Sequence, residues 1–233
     1  SDMDGTLLGA DHKISPENCA AIRTAQENNV RFAIVTGRTY EDVRPLLDEN
    51  ALACECVLMN GGEYRDTEGN LLMGIYLDKK IVPAVLNCLK AHQFVGELYT
   101  NKGYYTPSSK EELFAGILKR IRRFYPQIQD DETIYQMAAT HPHYVEMNFI
   151  EDIDALLQTD IEIGKIVSFA DTSDEITALW AELDKISGLA ISSSLPTNIE
   201  INDAAATKGN ILAKVAEKIG LQEDEIAVFG DGQ

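Results

Sequence analysis

Residues 1–8 read SDMDGTLL, two aspartates one residue apart and then Gly-Thr. What they are for depends on three runs further along: VRFAIVTGR (30–38), CECVLMNGG (54–62) and EIAVFGDG (225–232). Each run is apolar throughout rather than alternating, as strands buried on both faces of a parallel sheet are. Each ends in a polar group: Thr36, Asn60 and Asp231. Ligands of open α/β sheets bind outside the carboxyl ends of the strands. The three polar ends therefore mark one edge of a sheet. Asp2 and Asp4 join that edge only if a strand precedes them, so the reading expects an apolar central strand before Ser1 and a continuation beyond Gln233.

Helical stretches lie between these runs. Ser15-Pro16 supplies an N-cap and a first-turn proline for the helical stretch SPENCAAIRTAQENN (15–29). TKGNILAKVAEKIG (207–220) has apolar residues at helical spacing and a terminating Gly220. TYEDVRPLLDEN (39–50) also reads as helix, with Pro45 expected to kink it or delay its start. Strands alternating with helices give a doubly wound α/β domain. Between 83 and 201 the pattern changes. Helical segments (84–93, 110–125, 173–186) mix with alternating strands, HYVEMNF (143–149), KIVSFAD (165–171), LAISSS (189–194) and NIEIN (198–202). This is an α+β unit inserted into the first. The expected organisation is 1–82 plus 202–233 as core and 83–201 as insertion.

The chain has 233 residues, 45% of them hydrophobic, and a net charge of -18. Such a charge argues against nucleic acid, which needs a basic surface. It also means that an anionic substrate requires a local cationic site. No apolar run reaches the roughly 18 residues of a membrane span. Four cysteines are too few for a disulfide framework, which points to a reducing cytoplasm.

Asp2-Met3-Asp4-Gly5-Thr6 resembles the DxDGT signature of the haloacid dehalogenase superfamily. Thr36 in TGR is similar to its second motif, Lys208 in TKGN to its third, and Gly230-Asp231 to the start of its fourth. The NGG at 60–62 and the insertion of about 120 residues between second and third motifs resemble the Cof-like sugar-phosphatase branch. The resemblance implies a Rossmann-like core with an α/β cap. Two features depart from the pattern: the usual first core strand is absent, and the Asn-Asp that follows the fourth motif lies beyond Gln233.

The resemblance assigns chemistry that the residue types can perform. Asp2 is ionised at neutral pH and needs no base to attack a phosphate monoester, giving an aspartyl-phosphate. Asp4 would protonate the leaving oxygen and then activate water. Mg²⁺ would lie between the anions, held by Asp2, Asp231 and the backbone carbonyl of Asp4. Lys208 brings a fixed positive charge near a helix start, and Thr36 a hydroxyl. Thr36, Gly37, Lys208 and Asn60 are the candidate substrate contacts, although Asn60-Gly61-Gly62 reads first as a turn closing a strand. Arg38 either steadies the loop or pairs with an acid.

Other residues read as structural. Cys54 and Cys56 are a strand-spaced core pair. His141-Pro142-His143 is a loop with no third ligand at metal spacing. The basic stretch LKRIRRFYP (118–126) is the solvated face of a helix whose apolar side is Leu118, Ile121 and Phe124. Trp180 packs the core of the inserted unit. The expected function is a Mg²⁺-dependent phosphatase acting on small phosphate monoesters in the cytoplasm, with sugar phosphates or related metabolites as substrates. The rivals are a sugar phosphomutase or other phosphotransferase, and a non-catalytic binding module of the same fold.

Overall fold

The computed structural model describes residues 1–231. It divides into two compact units, one of 1–75 with 204 onward, the other Tyr76–Asp203. The insertion thus starts earlier than 83, because Leu77 and Val82 belong to its hydrophobic core. At its far end it runs on to Asp203, the last residue of a strand.

In the first unit, helix α1 (Pro16–Glu27) starts where Ser15 Oγ accepts from Asn18 N at 3.1 Å, with Pro16 in the first turn. Strand β1 (Ala33–Val35) follows, then helix α2 (Tyr40–Glu49). Pro45 does not delay α2: a capping box between Thr39 and Asp42 nucleates the helix one turn before the proline. Strand β2 (Glu55–Leu58) pairs parallel to β1, with Ile34 opposite Cys56. Strands β3 (Glu63–Arg65) and β4 (Leu71–Gly74) add antiparallel, giving the order β1-β2-β3-β4.

The second unit opens with helix α3 (Val82–Ala91), then strands β5 (Glu97–Thr100) and β6 (Gly103–Thr106). Helices α4 (Lys110–Phe124), α5 (Asp131–Ala139) and α6 (Pro142–Val145) follow, then strand β7 (Met147–Phe149) and helix α7 (Ile153–Leu157). Strand β8 (Ile163–Phe169), helix α8 (Ser173–Leu183) and strands β9 (Leu189–Ser192) and β10 (Asn198–Asp203) complete it. The six strands lie in the order β7-β6-β5-β8-β10-β9, antiparallel except for β6 with β7. Leu86, Leu89, Leu98, Ile166, Leu179 and Ile199 form its core, against which Trp180 packs. Helix α9 (Lys208–Ile219) returns to the first unit and ends at Gly220 in the left-handed conformation (φ 77°).

Strand β2 explains the three layers of the first unit. Cys56 and Leu58 bury into a cluster with Ile22 of α1 and Val43 and Leu47 of α2. Val57, on the opposite face, packs with Tyr64 and with Ile211 and Val215 of α9. Both faces are covered, as the unalternating sequence requires. Among the described residues no helix is long and apolar enough to cross a membrane.

Three expectations are corrected. The run at 226–230 forms no strand; Val228 and Phe229 are 70% and 61% exposed, and a strand exists only where a neighbour completes its ladder. HYVEMNF is strand only from Met147, because His141 caps and Pro142 opens a helical turn where a loop was expected. Helix α4 buries Leu113, Ile117 and Ile121, while Phe124 is exposed. Arg120 lies inside: it bonds Glu97 at 2.8 Å and stacks 4.1 Å over the Phe169 ring.

Candidate active site

The opening residues lie between two segments of the first unit. Ser1 N donates to Ala33 O and Val35 N donates to Ser1 O, both at 2.8 Å. On the other side Asp2 N donates to Phe229 O at 2.8 Å. Asp2 therefore emerges beside the end of β1, next to the loop that carries Asp231.

The backbone then turns sharply. Asp4 is extended (ψ 131°) and Gly5 is left-handed (φ 74°), and Leu8 N closes the turn on Met3 O at 2.9 Å. Glycine is needed at position 5 for a second reason. A Cβ there would lie 2.3 Å from Asp231 Oδ2. Thr6 Oγ1 donates to Asp231 Oδ1 at 3.3 Å, so the DGT turn cradles the fourth-motif carboxylate.

Asp2 is held by one oxygen. Its Oδ1 accepts from Met3 N at 2.7 Å and lies 3.1 Å from Lys208 Nζ. No bond to Oδ2 is made among the described residues. Lys208 is the first residue of α9, capped by Thr207, whose Oγ1 accepts from Asn210 N at 3.1 Å. The helix N-terminus adds its own positive field to the ammonium. Gly61 fixes this end of the helix against β2: with φ 114°, an added Cβ would meet Thr207 O at 2.5 Å.

Thr36 is buried, and its Oγ1 accepts from Arg38 N at 3.2 Å. Its carbonyl accepts from Asn60 N at 3.0 Å, and Met59 N donates to Arg38 O at 2.9 Å. Met59 and Asn60 both sit at positive φ, 49° and 61°, a strained conformation for residues with side chains. Among the described residues no hydrogen bond joins the side chain of Asp2 or Lys208 to Thr36.

Arg38, left out of the catalytic set and read as steadying the loop or pairing with an acid, does pair with one. Its Nε donates to Asp4 Oδ2 at 2.9 Å and its Nη2 to Asp4 Oδ1 at 2.6 Å. These bonds raise the guanidinium pKa above its ordinary value, against the opposing effect of burial. The pair engages both oxygens of Asp4. TGR followed by an acidic partner elsewhere was the available signal, but nothing in the sequence says which acid.

A family model described as haloacid dehalogenase-like hydrolase matches residues 1–233. The chain belongs to the haloacid dehalogenase-like hydrolases. Within that family it is a phosphatase of the Cof-like branch, a hydrolase acting on phosphate monoesters. It is 28% identical to "Phosphatase YwpJ" of Bacillus subtilis over 99% of this chain and 81% of that protein. It is 30% identical to the 5-amino-6-(5-phospho-D-ribitylamino)uracil phosphatase YwtE of the same organism, over 99% of this chain and 79% of the relative. A solved haloacid dehalogenase-like hydrolase from B. subtilis superposes with a TM-score of 0.77 at 28% identity, covering 95% of this chain and 78% of that one. The fold of this hydrolase is thus mixed α/β with a parallel pair in its core sheet.

Proposed function

We propose that this phosphatase hydrolyses small phosphorylated metabolites, sugar phosphates or related monoesters, through an aspartyl-phosphate on Asp2 with Mg²⁺ as cofactor. The observation that carries the reading is the one-sided hold on Asp2. Its Oδ1 is fixed by Met3 N and Lys208, and Oδ2 is the oxygen left to react.

In the first step Asp2 Oδ2 attacks phosphorus and the ester P–O bond breaks. The leaving oxygen takes its proton from Asp4. In the second step water attacks phosphorus and gives a proton to Asp4. The P–Oδ2 bond then breaks, releasing inorganic phosphate and restoring the carboxylate. Lys208 offsets the negative charge gathered on the phosphoryl group, and the Thr36 hydroxyl donates to one of its oxygens. Gly37 and Asn60 line the same loop edge and contact the substrate.

The donor set suits Mg²⁺, a hard cation that takes one or two carboxylates, with carbonyls and waters. Among the described residues no three His, Cys, Asp or Glu side chains gather as a metal cage. Asp2 and Asp231 with the Asp4 carbonyl would hold the ion in the more open, water-completed shell that it accepts. When bound there, Mg²⁺ supplies neutralisation between the two anions that must meet. The four cysteines are free thiols, which suits a cytoplasmic setting.

The name of the ribitylamino-uracil phosphatase supports the class of small phosphorylated metabolites, not the compound. A screen of metabolite monoesters with Mg²⁺, read as inorganic phosphate, tests the proposal. Release from at least one alkyl phosphate is expected. Transfer to an added sugar without phosphate release would reassign the protein as a phosphotransferase.

A further inference from the structure

We infer that Arg38 is a shared ligand: it holds Asp4 while the site is empty of substrate and passes to the phosphoryl oxygens of an arriving monoester, releasing Asp4 only then. The inference rests on the phosphate site proposed above and concerns how that site is armed.

The geometry is a side-by-side fork, Nε to Oδ2 at 2.9 Å and Nη2 to Oδ1 at 2.6 Å. Paired in this way, Asp4 faces Arg38 with both oxygens as acceptors, whereas a leaving group needs it as a proton donor. Asp4 must leave Arg38 before it can do the acid–base work assigned to it. A guanidinium released from a carboxylate needs another anion, and the one that arrives with the substrate is the phosphate. The same planar fork fits phosphate oxygens as well as carboxylate oxygens.

The mounting of the two residues fits an exchange. Thr36 N to Val57 O, Asn60 N to Thr36 O, Met59 N to Arg38 O and Arg38 N to Thr36 Oγ1 tie the base of Arg38 to the end of β2. Met59 and Asn60 keep left-handed backbone to make this junction. The anchor is fixed, and the side chain beyond it is long. The Asp4 side chain is 54% exposed, and an ion pair so open to water adds little to stability.

Calorimetric titration with inorganic phosphate tests this without turnover, using the wild type, Asp4→Asn, Arg38→Gln and the double variant in magnesium buffer. Asp4→Asn removes the competitor for Arg38, so phosphate should bind about 5-fold or more tightly than in the wild type. In the Arg38→Gln background the same change should alter affinity by no more than about 2-fold. Arg38→Gln alone should weaken binding. Equal tightening by Asp4→Asn in both backgrounds would mean simple loss of a negative charge and would overturn the inference. So would unchanged phosphate affinity in Arg38→Gln, or no phosphate binding by the wild type. If Arg38→Gln does not fold, Arg38→Lys, which keeps the charge and loses the fork, supplies the second background. Full wild-type behaviour in the lysine variant would also overturn the inference. Ester hydrolysis with a flat cycle removes this inference alone; a coupled cycle without ester hydrolysis removes the proposed function alone.

Discussion

Lys208 Nζ lies 3.1 Å from Asp2 Oδ1, joining the first residues of the chain to the start of its last α-helix. The contact fixes one oxygen of the carboxylate and the orientation of the other. Substituting Asp2→Asn keeps the shape and the acceptor for Met3 N but removes the charge, the nucleophile and a metal donor. Turnover should fall by at least about 10⁴-fold, as loss of a covalent nucleophile does elsewhere, with an unchanged thermal midpoint. Phosphate release near the wild-type rate from a folded Asp2→Asn protein would refute the mechanism.

Gly61 tests the mounting of Lys208 rather than its charge. At φ 114°, with Thr207 O 2.5 Å from the position of a Cβ, alanine is both strained and obstructed. Gly61→Ala should destabilise the first unit by about 1–3 kcal/mol and lower kcat by pushing the start of α9 away from Asp2. Urea unfolding and phosphate release on one preparation check both parts. A loss of stability with kcat intact would show that Lys208 does not depend on this junction.

Chelation addresses the proposed cofactor. Treatment with EDTA should remove activity, and added Mg²⁺ should restore it, with Ca²⁺ a poor substitute because its larger, more flexible shell does not favour octahedral order. Full activity after exhaustive chelation would set the two-carboxylate site aside.

How much of this was visible in the sequence depends on whether the signal was local. Ser15-Pro16, Thr207-Lys208 and Gly220 are local instructions, and the helices start or stop at them. Strands β1 and β2 were legible because burial on both faces leaves an apolar run. The β5–β6 hairpin was missed: GELYTNKGYYTP mixes tyrosines and threonines, and its turn depends on Gly103 at φ 100°. The site failed at the same kind of place. The close approach of Asp231 to Gly5 and the acid that Arg38 pairs with, Asp4, are set by partners far away in sequence. Arg120 of α4 misled for a related reason, while Arg122 is exposed as expected. A charged residue reads as solvated unless its buried counter-ion, here Glu97, is known.

Arg120 and Glu97 give a stability prediction for the inserted unit. Their side chains are 12% and 2% exposed and bond at 2.8 Å, with His143 Nδ1 3.3 Å from the other carboxylate oxygen, an ion-pair distance without hydrogen-bond geometry. Removing one member of a buried pair strands the other. Arg120→Met should cost about 3–5 kcal/mol, and the double change Arg120→Met with Glu97→Leu should recover most of it. Denaturant melts of the three proteins decide the matter; an Arg120→Met midpoint equal to wild type would mean that water reaches Glu97.

The same cluster makes the inserted unit sensitive to acid. Burial, with His143 and Arg120 nearby, lowers the pKa of His141 to about 4 from its ordinary 6.5, against a smaller opposing pull from Glu97. The neutral ring is useful where it stands, since Nδ1 accepts from His143 N at 3.2 Å and caps α6. Between pH 6.5 and 4 the unfolded chain takes up a proton that the folded one refuses, so stability is full above pH 6.5 and is lost as pH falls toward 4. For Glu97, desolvation pushes the carboxyl up, but Arg120 and His143 together outweigh it, so its pKa lies below the ordinary 4.5 and its loss of stability follows only in stronger acid. The single tryptophan, Trp180, packs against the core of this unit, and its fluorescence reports the unit's unfolding directly. His141→Asn keeps an acceptor for the cap and removes the titrating ring. Its melting temperature should vary less between pH 7 and 4 than that of the wild type, the two proteins diverging most toward pH 4. Parallel curves across that range would show that His141 is not the group through which acid loosens the unit.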